Sequence, residues 1–179
     1  IASNDPNIIL LTGDLGFGVF EEFRKLFPKQ FLNVGVAEQN MTMVAAGMAL
    51  KGKKVFTYSI GNFPTLRCLE QIRNDICYHD LDVTIVSIGG GFSYGSLGMS
   101  HHATEDLSIM RSLPNIICVA PSSLDETRKA TRALYETHGP SYLRLDKSSA
   151  DTTCNEFKIG TAIKVKEGKD LTIISTGGI

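Results

Sequence analysis

Short apolar runs rich in β-branched residues alternate with stretches of helical periodicity, and this alternation restricts the fold more than any other feature of the chain. NIILLTGD (7–14) precedes a helical pattern near residues 19–27, and QFLNVGV (30–36) precedes a helix that opens at Glu38. KKVFTYSI (53–60) reads as a strand that Gly52 separates from that helix. Asn62 and Pro64 then stand where a cap and an early helical proline would open the next helix, with Leu66, Leu69, Ile72 and Ile76 on one side. VTIVSI reads as a buried strand, ATEDLSIMRSL as a helix and NIICVA as a strand. SSLDETRKATRALYET reads as a helix whose Ser123 and Glu126 have capping-box spacing, and SYLRLD closes the series. Strands joined through helices form parallel crossovers, so the expectation is an α/β fold: a doubly wound, mostly parallel sheet with helices on both faces.

After Asp146 the pattern changes. KSSADTTCNE is polar and linker-like, and FKIGTAIKVKEGKDLTIISTGGI offers two or three further strands without a helix after them. The organisation expected is a main domain over 1–147, a linker over 148–156, and the truncated start of a second domain over 157–179.

With 179 residues, 42% of them hydrophobic and 21% charged, the chain is long enough for one good core. Its formal net charge of −1 provides no field that would gather nucleic acid or an anionic membrane. The longest apolar runs are too short to span a bilayer, and IASNDPNIILL lacks the basic start and apolar middle of a signal peptide. Cys68, Cys77, Cys118 and Cys154 form no CxxC pair and have no histidine at zinc-finger spacing, which points to reduced structural thiols and a cytoplasmic address.

In doubly wound sheets ligands bind at the carboxyl ends of the strands, so the loops there carry the candidates. TGDLGFG follows the first strand. Its GxxGxG pattern is neither a dinucleotide fingerprint nor a P-loop, and a tight turn with Asp14 capping a helix explains it equally. GGGFSYGSLGMSHHATED is long for a loop in a compact domain and carries adjacent histidines, His101 and His102. One could face a ligand while the other packs; a metal site is the competing reading, although no Cys, Asp or Glu cluster accompanies them. In NVGVAEQNMTMVAAGMAL, Glu38 places a carboxylate at the start of a helix that is apolar on nearly every side, where a charge is costly to bury.

Taken together and in order, VGVAEQNM, YSIGNFPTLRCLEQIRND, GGGFSYGSLGMSHHATED and GPSYLRLDK resemble the pyrimidine-binding domain of transketolase-like, thiamine diphosphate-dependent enzymes over about residues 8–147. The similarity is greatest to the C-terminal subunit of split transketolases, whose two halves are separate chains. The resemblance implies that Glu38 hydrogen-bonds N1′ of the cofactor's aminopyrimidine and favours its imino tautomer. It further implies that His101 contacts the substrate or the covalent intermediate and that Asp14 lies near the cofactor. Phe63 or its neighbour Tyr58 would stack on the pyrimidine, and Lys147, with Arg144, would hold the substrate phosphate. His102 acquires no role from it.

Leu97 departs from the family, where fused transketolases and deoxyxylulose-phosphate synthases carry an aspartate that reads a sugar hydroxyl; Gly18 and Gly89 likewise replace side chains near the phosphate. The family's GDG motif, with a later Asn, holds the metal of the diphosphate. GDL at residues 13–15 is not that motif. The expectation is therefore that Mg2+ or Ca2+ and the diphosphate are bound by another chain, an N-terminal transketolase subunit, in an assembly with two copies of each. The expected reaction is transfer of a two-carbon ketol unit from a ketose phosphate to an aldose phosphate. The competing readings are a subunit of a 2-oxo acid dehydrogenase, a deoxyxylulose-phosphate synthase-like enzyme, or a non-catalytic interaction domain of the same fold.

Overall fold

The computed structural model describes residues 1–147, 150 and 156–178. Cys154 and most of the expected linker lie outside the described residues.

Six strands form one sheet: β1 (Ile8–Thr12), β2 (Phe31–Asn33), β3 (Lys54–Ile60), β4 (Val83–Ile88), β5 (Ile117–Val119) and β6 (Ser141–Leu145). Every pairing is parallel and the spatial order is β2-β1-β3-β4-β6-β5. From β1 the chain runs outward to β2 and then returns to lay β3 on β1's other side. The topological switch therefore falls between β1 and β3, where open α/β sheets form their ligand crevice.

The connecting helices are α1 (Glu21–Leu26), α2 (Glu38–Ala49), α4 (Asp106–Met110) and α5 (Leu124–Glu136). The helix α3 (66–77) lies between β3 and β4. It is irregular: a 3-10 turn (Leu66–Cys68), one α-turn (Leu69–Gln71) and a π-helical stretch (Ile72–Cys77). Asn62 does not cap it. The Asn62 amide instead donates to the Met99 carbonyl (3.2 Å), and Thr65 stands at the N-cap without a side-chain cap bond.

Alternation along the strands sorts side chains to two faces. Leu11, Val55, Val83 and Ile85 meet Met41, Ala45 and Ala46 of α2, Cys68, Ile72, Ile76 and Cys77 of α3, and Met110 of α4. Leu11, Ile72 and Ile76 are wholly covered, each side chain contributing roughly 1.5–3 kcal/mol. On the opposite face Val86 and Leu143 pack with Ala130 and Leu134 of α5, and Phe20, which leads into α1, meets Tyr58 edge to face at 4.7 Å.

At the N-terminus of α5, Ser123 Oγ accepts from Glu126 N–H (3.2 Å), while the Glu126 carboxylate takes the N–H of Ser122 (2.7 Å), one residue before the position a full capping box would use. At its C-terminus Lys54 Nζ donates to the carbonyls of Tyr135 and Thr137, so β3 satisfies the last turn of α5.

The helix α2 is covered by its own chain on one side: Glu38, Met41, Thr42, Ala45 and Ala46 are buried, whereas Met43 and the C-cap Leu50 are open. One expectation differs from the structure. Over 156–178 no strand forms, because an extended run becomes a strand only when another strand takes its N–H and C=O groups. Phe157 and Ile159 rest on the α5-side core, and the N–H groups of Gly177 and Gly178 reach the Ala120 carbonyl (3.1 Å) and Asp146 Oδ2 (2.7 Å). Among the described residues no helix is long and apolar enough to cross a membrane.

Candidate active site

Glu38 opens α2 and is only 2% exposed. No side chain caps this helix, so its free N–H groups and dipole favour a negative charge at that place. The carboxylate has a specific partner in Arg67, whose Nη1 donates to Oε2 at 2.7 Å. The same guanidinium lies 4.5 Å from the centroid of the Phe63 ring. Cys68, beside Arg67, is pushed to a higher pKa, first by burial and further by the nearby Glu38 charge; its thiol donates to the Phe63 carbonyl (3.2 Å).

From Phe63 the site continues as a line of rings. Phe63 meets His101 edge to face at 5.1 Å, His101 lies 5.8 Å from Tyr94, and Lys147 Nζ sits 4.3 Å from the centre of the Tyr94 ring. Burial raises the pKa of Tyr94; burial first, and then Tyr94 itself, raises that of Tyr58. The structure thus brings Glu38, Phe63, His101, Tyr58 and Lys147 to the carboxyl end of the sheet. Gly61 makes that approach possible. Its φ is +36°, and a Cβ there would stand 2.9 Å from the His101 carbonyl.

Asp14 adopts φ +60° in the loop after β1 and caps no helix. Its N–H donates to Asn33 Oδ1 (2.9 Å), and Asn33 Nδ2 donates back to its carboxylate (3.0 Å). Asn33 thereby ties the loop after β1 to the end of β2, while Gly13, one residue before Asp14, packs against Glu38; a Cβ on Gly13 would be 3.6 Å from Glu38 Cγ.

Arg144 is more deeply set than Lys147. Its side chain is 13% exposed, with Nε 3.0 Å from Asp106 Oδ2 and Nη1 3.9 Å from Asp146. The Nε–H is not aligned for a hydrogen bond, so the contact with Asp106 is coulombic. Asp106 is 1% exposed and accepts from Tyr142 Oη at 2.6 Å, which with burial drives the tyrosine pKa well up. Arg144 also reaches the Ala103 carbonyl (3.4 Å), and Ala103 and Gly91 exchange hydrogen bonds across the loop that carries His101. A Cβ on Gly90 would collide with the guanidinium carbon, so a larger residue there would have to displace Arg144 from its place beside Asp106. His102 turns from the line of rings: its Nε2 pairs with the Gly95 carbonyl (2.9 Å) and its ring meets Phe92.

Four contributors carry no local signal: Arg67, Tyr94, Asp106 and Asn33 become visible only through their partners in space. Among the described residues no group of three His, Cys, Asp or Glu side chains converges as a metal site would require.

The open parallel sheet brings a buried helix-start carboxylate, an aromatic and a loop histidine together at its carboxyl end. The family model of the transketolase pyrimidine binding domain matches residues 1–152. The chain belongs to the transketolase family. It is 41% identical over 177 residues to a putative transketolase C-terminal section from Methanocaldococcus jannaschii, covering 96% of this chain and 56% of that protein. It is 35% identical over 182 residues to an apulose-4-phosphate transketolase subunit from Phocaeicola vulgatus, covering 99% and 58%. Among solved structures it superposes on a split-gene transketolase described as an inactive beta4 tetramer, with TM-score 0.75, 35% identity, and 91% and 52% coverage. The chain therefore spans little more than half the length of these curated relatives.

Proposed function

We propose that this chain is the pyrimidine-side subunit of a thiamine diphosphate-dependent transketolase that moves a two-carbon ketol unit from a ketose phosphate to an aldose phosphate. The observation that supports it most is the continuous line from the buried Glu38 carboxylate through Phe63 and His101 to Lys147 at the switch point of the sheet.

The residues fit an aminopyrimidine: a buried carboxylate accepts a ring N–H, and an aromatic face lies within one side chain's reach of it. Thiamine diphosphate, when bound, would supply a nucleophilic carbon. Glu38 would hold a proton at the aminopyrimidine nitrogen N1′, in a dry setting that strengthens the hydrogen bond. Phe63 would support the ring. Ser100 Oγ and His101 Nδ1 pair at 3.0 Å; in the tautomer in which Ser100 donates, Nε2 would carry the ring proton and could offer it to a substrate oxygen. Lys147, exposed at the rim, takes the sugar phosphate as a point charge, while Arg144 supports the loop from beneath.

We assign the diphosphate and its Mg2+ or Ca2+ to an N-terminal transketolase subunit; what supports a separate chain is that one relative is named as a C-terminal section and another as a single subunit. The open side of α2 is where we seat that chain, in a cytoplasmic assembly with two copies of each. Residues 157–179 are assigned to the start of the next domain. Leu97, exposed on the turn before His101, puts a methyl-rich side chain where fused relatives read a hydroxyl, so the sugar preference is expected to differ from theirs.

The test is transfer from xylulose 5-phosphate to ribose 5-phosphate with this chain alone, with a candidate GDG-bearing subunit alone, and with both. Activity only in the mixture is expected, and Glu38→Gln should assemble with an unchanged melting temperature yet lose transfer by at least about a thousandfold. Release of carbon dioxide from pyruvate by the same mixture would instead assign a 2-oxo acid-processing enzyme.

A further inference from the structure

Arg67 occupies two places at once. Its guanidinium donates to the Glu38 carboxylate at 2.7 Å and covers the Phe63 ring at 4.5 Å. An aminopyrimidine needs the same two contacts: a flat group that gives an N–H to Glu38 while stacked on an aromatic. A guanidinium is also planar, also presents N–H donors in its plane, and also stacks on ring faces.

The reason for the arrangement lies in Glu38. A carboxylate 2% exposed cannot be left unpaired without a large desolvation penalty, and Arg67 is the group that meets it. Arg67 is also able to leave. Its side chain is 46% exposed, so water is ready to receive the charge, and it stands on the 3-10 turn of α3, the least regular helix of the fold. Cys68 behind it is wholly buried and anchored to the Phe63 carbonyl, so the backbone stays in place while the side chain swings.

We propose that Arg67 is a placeholder for the pyrimidine ring: it neutralises Glu38 and keeps the pocket from collapsing in the free subunit, and it withdraws when the cofactor enters. This rests on the assignment of thiamine diphosphate to the site. The placeholder competes with the ring, so the apparent affinity for cofactor is the intrinsic affinity reduced by the fraction of subunits in which Arg67 is out.

Two measurements test it. In the first, the melting temperature of this chain alone is compared for wild type, Arg67→Gln, Glu38→Gln and the double variant. Arg67→Gln should lower it by several degrees, and the same change in the Glu38→Gln background should do almost nothing; equal losses in both backgrounds overturn the placeholder. In the second, thiamine diphosphate with Mg2+ is titrated calorimetrically into the complex with the GDG-bearing subunit. Arg67→Gln should bind cofactor several-fold more tightly than wild type, and so should Arg67→Lys, which keeps the charge and the fold but loses the planar group that covers the ring. Weaker binding in both variants would make Arg67 a permanent cofactor contact and overturn the proposal. Wild-type complex that binds no cofactor would overturn the functional assignment itself and the placeholder with it.

Discussion

At the scale of single residues, exposure distinguishes the two cations near the rim of the candidate site. Lys147 is exposed and Arg144 is 13% exposed, although three positions separate them in sequence and both carry a positive charge. A phosphate needs an approachable partner, so Lys147→Ala should raise KM for a phosphorylated sugar roughly tenfold or more with kcat little changed, read from initial rates with phosphorylated and unphosphorylated acceptors. The unphosphorylated acceptor should be indifferent to the change. Glu38 and His101 stand out in the sequence as candidates because each sits in a recognisable stretch. Arg67 does not, since its meaning comes from a bond to a residue twenty-nine positions earlier. Tyr94 was hidden among loop residues, and Asp106 read as an ordinary first-turn acid of a helix until the structure placed it under Tyr142 and Arg144.

At the scale of elements, the strands were the readable part, because an interior parallel strand must be a short β-branched run whatever surrounds it. The helices were readable as existing but not in their detail. Leu66, Leu69, Ile72 and Ile76 announce an inward face, yet nothing in their spacing reveals that α3 passes from 3-10 through α to π geometry. The cap of α5 is local and was visible. Ser123→Ala should cost about 1 kcal/mol, measured by urea unfolding. A second check on packing comes from the thiols of α3 and β5. Burial raises Cys77 to about 12 and Cys118 to about 11, both from an ordinary thiol value of 9.0. A raised folded-state pKa means that this contribution to stability is complete below about pH 9 and disappears as pH climbs through 11 and 12. The melting temperature should therefore fall above pH 9, and the Cys77→Ala, Cys118→Ala pair should flatten that slope relative to wild type. An unchanged slope would mean that the thiols are not held in the dry α3-side core.

At the scale of the whole molecule, the sheet explains why the reaction centre lies where it does, and α2 explains why the chain alone is an incomplete enzyme in our reading. The loops after β1, β3 and β4 lie at the carboxyl end of the sheet around the point where the strand order reverses, and the glycine-rich loop is pinned at its base by the bridge between its own Gly91 and Ala103. The helix α2 is apolar on nearly every side, and the fold covers one side and leaves Met43 at 48% and Leu50 at 61% exposure, with Val36 just before the helix at 75%. That open strip begins beside Glu38, so a chain seated on it would also roof the pocket. Met43→Glu is the decisive change, because it inserts a charge in the middle of the strip without touching the core. The melting temperature of the chain alone should shift by no more than surface substitutions do, about 0.5 kcal/mol in stability. Sedimentation with the GDG-bearing subunit should show assembly weakened by at least about tenfold, since a buried unpaired charge at an interface is strongly unfavourable. Transfer activity should fall in proportion to the unassembled fraction and return at high subunit concentration. Full assembly of the variant would show instead that the partner docks elsewhere and that the apolar side of α2 is covered by something other than the diphosphate-binding chain.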